Sequence, residues 1–252
     1  MICTVNDVYG FIDSIAPFDT QCEWDNSGLI IGSDENQVKK IGVVLDITID
    51  AVEYARKNNI DLIVSHHPVI FKPVNAIGNG DPVYHLIKNG ISAICAHTSL
   101  DAAKGGVNDV LADALGFKNV SDFAQSGELA IMRIAQTEET DGESIANLIT
   151  DKLSTCVSLA DSKNKIKKIA LCGGSGGEYI DEVAAAGCDA FVTGEAKYHH
   201  LLRALDLGVT MITAGHFETE NPVVAVLAKK LSENFSCEIE IIPQNSPVKY
   251  YK

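Results

Sequence analysis

The densest chemistry in this chain lies in Ser65-His66-His67-Pro68, where the strand-like run Asp61-Leu-Ile-Val-Ser65 stops at two adjacent imidazoles. Neighbouring side chains in a strand point to opposite faces, so His66 and His67 can serve one site only where the regular ladder breaks. Pro68 supplies the break, because it lacks an N–H and pushes the preceding residue toward extended geometry. Three further strand ends carry groups able to hold a metal or move a proton. They are Ile94-Cys-Ala-His97-Thr-Ser-Leu-Asp101, Phe191-Val-Thr-Gly-Glu195 and Met211-Ile-Thr-Ala-Gly-His216-Phe-Glu-Thr-Glu220.

Histidine and carboxylate without cysteine suit zinc, iron, manganese or nickel and argue against a closed structural zinc site. His66, His67, Asp101, His216 and Glu220 are more ligands than one tetrahedral ion takes. They fit two divalent ions roughly 3.5 to 4 Å apart that share a carboxylate and a water, so that a bridging hydroxide is a nucleophile at neutral pH. Glu220 is the expected bridge. Asn221-Pro222 reads as an N-cap and first helical residue, which places His216 and Glu220 in the loop before a helix, where the helix dipole favours a carboxylate.

His97 and Glu195 are the candidate catalytic groups. His97 is expected either to orient Asp101 or a bound water, or simply to pack. Glu195 is expected either to shuttle a proton or to pair with Lys197. His85, His199 and His200 read as ordinary hydrogen-bonded histidines. Gly173-Gly-Ser-Gly-Gly177 follows a strand and precedes a helix, a context in which backbone amides can cradle phosphate. It fits neither G-x-G-x-x-G nor G-K-[ST], and a tight turn for close packing accounts for it equally well.

The elements that must position these groups alternate along the chain. Helical spacing over 5–15, 49–57, 82–89, 107–115, 142–153 and 222–231 is interleaved with strand-like runs at 38–46, 61–65, 91–96, 129–135, 167–172, 190–193, 210–214 and 237–242. This rhythm predicts an α/β fold with largely parallel or mixed sheets, in which ligands gather at the carboxyl ends of the strands. The polar stretch 121–128 reads as a boundary. Two α/β lobes are therefore expected, 1–125 with His66, His67 and Asp101, and 126–252 with Glu195, His216 and Glu220. The last strand either stays in the second lobe or returns to the first.

Composition narrows the function classes. At 252 residues the chain can bury one large core or two small ones, and its longest apolar runs fall short of the roughly 20 residues that span a membrane. A net charge of −14 argues against nucleic acid recruited by the global field, although a local basic patch stays compatible with it. The Lys39-Lys40 pair and the lysines of 163–168 read as solvated surface. Seven cysteines occur without a C-x-x-C pair, which is neither a disulfide framework nor a zinc ribbon, and Cys95 and Cys172 read as small buried hydrophobes. The N-terminus has neither a basic n-region nor an apolar h-region, so a cytoplasmic protein with a small-molecule substrate is expected.

Several motifs occur together and in order: Glu23-Trp24-Asp25-Asn26-Ser27-Gly28-Leu29, Ser65-His66-His67-Pro68, His97-Thr-Ser-Leu-Asp101 with Gly105-Gly-Val-Asn108, Cys172-Gly-Gly-Ser-Gly-Gly177, Asp189-Ala-Phe-Val-Thr-Gly-Glu195 and Gly215-His216-Phe-Glu-Thr-Glu220. Across nearly the whole chain this series resembles the NIF-three-like family, whose members are commonly labelled GTP cyclohydrolase 1 type 2 homologs. The resemblance implies two related α/β lobes, a dinuclear metal site in the cleft between them, and a ring-shaped hexamer built as a trimer of dimers. It assigns His67 and Asp101 to one ion, His66 and His216 to the other, and Glu220 to both. Longer members insert a domain between the lobes, about where 121–128 falls in this shorter chain. The family label implies water attacking C8 of a guanine ring, with ring opening and loss of formate, whereas the ligands support hydrolysis of a nucleotide-like or heterocyclic substrate as a class. Lys72, Lys104, Lys197 and the glycine turn are the candidates for contacting its phosphates. The alternative is a non-catalytic metal-binding, metal-handling or ring-scaffold protein with a protein or single-stranded nucleic acid partner.

Overall fold

Helix starts in this protein follow their caps. The computed structural model describes residues 3–123 and 130–250. Thr4, ending the short strand β1 (Cys3–Thr4), forms a reciprocal capping box with Asp7 and opens α1 (Val5–Ile15). Strands β2 (Gly28–Ile31), β3 (Gln37–Val38) and β4 (Lys40–Val44) follow, and Thr48 caps α2 (Ile49–Lys57). After β5 (Leu62–Ser65), Asp81 caps α3 (Pro82–Asn89), where Pro82 fills a first helical position that needs no amide and Gly90 closes the end at φ 67°. Strand β6 (Ser92–Cys95) leads to the short α4 (Thr98–Ala102) and to α5 (Val107–Leu115). Then come β7 (Ser121–Phe123), β8 (Met132–Thr140), α6 (Gly142–Leu153), β9 (Ser158–Ala160), β10 (Ile166–Cys172) and α7 (Ile180–Ala185). The chain finishes with β11 (Ala190–Thr193), α8 (Tyr198–Asp206), β12 (Thr210–Thr213), α9 (His216–Glu220), α10 (Pro222–Asn234) and β13 (Glu238–Ile241).

Two compact units emerge: Met1–Lys104 with Val224–Asn245, and Gly105–Val223 with Ser246–Lys252. Residues 105–123 group with the second unit, and β13 groups with the first. Of the polar stretch 121–128, residues 121–123 form β7; positions 124–128, with Leu129 of the expected next strand, lie outside the described residues.

The first unit holds a five-stranded sheet in the order β13-β4-β5-β6-β2, parallel except for β2, and a small antiparallel β1-β3 pair. Every residue of β5 and β6 is buried, which explains their continuous apolar runs, since a parallel strand covered on both faces has no polar side. The second unit holds a six-stranded mixed sheet, β7-β8-β10-β11-β12-β9, in which β10, β11 and β12 are parallel. Side chains alternate across it: Ile169, Leu171, Val192 and Ile212 face one core, and Ala170, Cys172, Phe191 and Met211 face the other. Register levels the strand ends, pairing Ser65 with Cys95 and Thr193 with Thr213. His66 and His97 thus leave neighbouring parallel strands at the same end, as do Glu195 and His216.

None of the seven cysteines is in a disulfide, and Cys95 and Cys172 are buried. Lys163, with its side chain 76% exposed, pairs with Asp161 as solvated surface does, whereas the Lys40 side chain is only 15% exposed and pairs with Glu238 and Glu240. No helix among the described residues is long and apolar enough to cross a membrane.

Arg133 on β8 is the largest fully buried side chain among the described residues. Its Nε donates to Asp109 on α5 and lies 3.3 Å from Asp122 on β7, while Nη1 donates to the carbonyls of Ala130 at 2.8 Å and Met132 at 3.1 Å. Removing one partner of a buried ion pair leaves the other uncompensated. Arg133→Ala is therefore expected to destabilise the protein by about 3 kcal/mol in chemical denaturation. A loss below about 1 kcal/mol would show that water compensates the two carboxylates instead.

Candidate metal centre

Each unit carries its own half of the expected ligand set. In the first, His66 and His67 follow β5 with their amides still bonded to the β4 side, at 3.3 Å to the Val44 carbonyl and 3.0 Å to that of Leu45. Beyond the ladder both rings nonetheless converge, their centroids 4.8 Å apart and lying 5.2 and 5.5 Å from that of His97. One ring nitrogen or equivalent ligand atom from each of His66, His67 and His97 lies within 4.8 Å of the others.

Hydrogen bonds fix how these rings present themselves. The Nδ1 of His66 meets the Ala96 carbonyl at 2.9 Å, and since a carbonyl only accepts, Nδ1 must carry the proton. The Nδ1 atoms of His67 and His97 meet the carboxylates of Asp46 and Asp25, each at 2.8 Å. In all three rings Nε2 is the nitrogen on the side away from that bond. Metal-binding histidines almost always donate their other ring N–H in this manner, which fixes the tautomer and raises ligand basicity. Asp101, in α4, places Oδ1 3.7 Å from Nε2 of His66.

Asp25 is the best-anchored carboxylate of this half, with its side chain 0% exposed. Burial alone would push its pKa up, but hydrogen bonds from His97 and Thr98 outweigh burial and hold it well below the usual carboxylate range. Oδ2 accepts from the Thr98 amide at 2.9 Å and its hydroxyl at 2.5 Å. His97 belongs to this network through Nδ1, with its own amide donating to Ser27 at 2.9 Å.

In the second unit, His216 and Glu220 stand one turn apart on α9, with Nε2 and Oε2 3.0 Å apart. The expected loop is thus a short helix. Gly215, at φ 89°, starts it, and Asn221 ends it by donating to the Phe217 carbonyl at 2.8 Å, after which Pro222 begins α10. The Nδ1 of His216 lies 3.3 Å from Oε2 of Glu195, which also accepts from the Ser175 hydroxyl at 2.8 Å. The bond from Ser175, followed by that from His216, lowers the Glu195 pKa against the opposing effect of burial. Glu195 therefore pairs with His216 and not with Lys197. An imidazole nitrogen facing a carboxylate oxygen recurs in both halves, an arrangement that a proton or a cation stabilises.

The glycine turn serves packing. A Cβ at Gly174, whose φ is +62°, would sit 2.1 Å from Oε1 of Glu220. Four of its amides already have acceptors: Gly173 bonds Asn108 at 2.7 Å, Gly174 bonds Thr219 at 3.1 Å, Gly176 bonds Thr193 at 2.9 Å and Gly177 bonds the Glu195 carbonyl at 3.2 Å. Those amides are not offered to a phosphate. Of the remaining histidines, Nε2 of His85 donates to the Asn79 carbonyl at 2.8 Å and Nδ1 of His200 accepts from the Lys197 amide at 3.3 Å, as ordinary histidines do.

Asp25, although it lies in one of the motifs, and Asp46 are the residues to which the sequence reading gave no role. Asp46 follows β4, the strand next to β5, so the strand-end rule that selected the histidines could have selected it too.

Comparison with known proteins agrees across the whole length. The model of the family described as Duf34/NIF3 (NGG1p interacting factor 3) matches residues 3–247. A protein of Clostridium perfringens called GTP cyclohydrolase 1 type 2 homolog is 33% identical over 248 residues, covering 94% of this chain and 95% of its own. One of Helicobacter pylori called GTP cyclohydrolase 1 type 2 is 30% identical, covering 94% of this chain and 99% of its own. The crystal structure of a hypothetical protein of Staphylococcus aureus superposes with a TM-score of 0.89 at 28% identity, covering 100% of both chains.

Proposed function

The chain belongs to the Duf34/NIF3 family, and on that premise we propose that it is a metal-dependent hydrolase of a small nucleotide-like or heterocyclic substrate. His66, His67, Asp101, His216 and Glu220 would hold its divalent ions. The observation that carries this reading is the row of Nδ1 anchors in the first unit, since imidazoles locked with Nε2 outward are prepared for a cation. Divalent ions in a histidine and carboxylate set supply water that ionises at neutral pH and polarise the bond it attacks.

The chain's own groups contribute positioning and proton handling. Glu195 is ionised at neutral pH, so it suits accepting a proton and holding Nδ1 of His216, not delivering a proton. His97, fixed by Asp25, offers Nε2 at the cluster of His66 and His67. The names of the relatives from Clostridium perfringens and Helicobacter pylori make a guanine nucleotide the first substrate to try.

Elemental analysis of protein purified without added metal or chelator tests the site, with zinc, iron, manganese and nickel measured together. Incubation with nucleotides and cyclic amidines under mass spectrometry tests the reaction. About two ions per chain and a new hydrolysis product are expected. Absence of metal would end the reading, and two ions without any product would favour a non-catalytic metal-handling or scaffold role. Assembly as a ring-shaped hexamer in the cytoplasm belongs to the same proposal, and light scattering would separate a hexamer from a dimer.

A further inference from the structure

Two large aromatic side chains stand in solvent beside the imidazoles of the first unit. Trp24, the only tryptophan of the chain, is 58% exposed, and Phe71 is 44% exposed. Their ring centroids are 5.7 Å apart, and each lies edge-on to His97, at 5.9 and 6.0 Å. Leaving an indole in water forgoes the burial that normally places it in a core.

The two rings are held in place by their neighbours. Asp25, next to Trp24, binds Ser27, His97 and Thr98 and accepts from the Asn26 amide at 2.7 Å. Asn26 in turn donates through Nδ2 to the carbonyl of Ile70, the residue before Phe71, at 2.6 Å. One polar clamp thus fastens the chain beside both rings, and both rings abut the imidazole whose tautomer the same clamp sets.

We infer that Trp24 is a stacking platform for a planar heteroaromatic ring, with Phe71, tilted by 50°, as the wall beside it, and that the two hold the ring next to His97. This inference rests on the proposed hydrolase reading for its placement and adds the selecting feature: the substrate is recognised by the face of its ring. Stacking on an aromatic side chain tolerates different bases, because every base has a π-face. The platform selects rings over sugars and linear amides, and it does not choose among purines.

The test uses the full chain, metal-loaded and chelator-treated in parallel, with guanosine as probe and ribose as the control that lacks a ring. Because Trp24 is the only tryptophan, its fluorescence reports on the platform directly. Guanosine is expected to quench it saturably and ribose to leave it unchanged. Calorimetry of Trp24→Ala is expected to show guanosine bound about tenfold or more weakly, with Trp24→Phe within a few-fold of the parent. Equal guanosine affinity in Trp24→Ala, or equal quenching by ribose, would overturn the inference. So would emission that shifts with protein concentration alone, since a second copy would then be covering the rings. Metal content of the same samples keeps the two readings apart: no stacking in protein that carries two ions rejects the platform only, and stacking in protein that takes up no metal on loading rejects the metal site only.

Discussion

Glu220→Gln is expected to keep the fold and to lower metal content from about two ions per chain to one or none. Glutamine matches glutamate in volume, so it fits the space that Gly174 leaves beside Oε1 and does not disturb the buried end of α9, where Glu220 is 4% exposed. What it removes is the charge. A neutral amide cannot bridge two cations as a carboxylate does, and of the remaining ligands only Asp101 brings a negative charge, one for two dications. Any hydrolytic activity found for the parent is expected to fall by about a thousandfold, the order of effect of removing one principal electrostatic group. Elemental analysis alongside thermal melting checks both halves of this expectation. A variant with full metal content would remove Glu220 from the ligand set, whatever its activity.

The same helix end shows which parts of this protein can be read from residue order. Helices α1, α3 and α5 were legible to the residue because their boundaries are written in local chemistry: Thr4 with Asp7, Asp81 before Pro82, and Gly90 and Gly116 in left-handed conformations. Pro222 misled in the opposite direction. It does begin a helix, but the residues before it already form one, and a proline at a first helical position says nothing about the turn that precedes it. Strands β2 and β9 escaped because they are antiparallel strands of only four and three residues at sheet edges, with half-exposed residues. The histidines were visible as strand ends, whereas their anchors were not. Asp25 is 72 residues from His97 and Asp46 is 21 from His67, and separations of that kind are set by sheet order, which no local pattern encodes.

Asp25→Asn is expected to cost about 3 kcal/mol at neutral pH, and to do so in a way that acid erases. Oδ1 receives donors from His97 and the Asn26 amide, and Oδ2 receives them from the Thr98 amide and hydroxyl and from Ser27. Both oxygens accept only, so turning either into an NH2 group points a donor at donors inside a site without solvent. The amide cannot rotate out of this conflict, because both of its orientations meet it. The sign with pH follows from the depressed pKa of the folded carboxyl. The stabilisation is fully present above the unfolded aspartate pKa of about 3.9 and is lost as pH falls from there toward the folded value. The gap between parent and variant in urea denaturation should therefore stay level from about pH 7 to 5 and narrow from about pH 4 downward. A gap that widened in acid would mean that Asp25 is held as the neutral acid, in which case its bond to His97 could not fix the tautomer that leaves Nε2 facing the cluster.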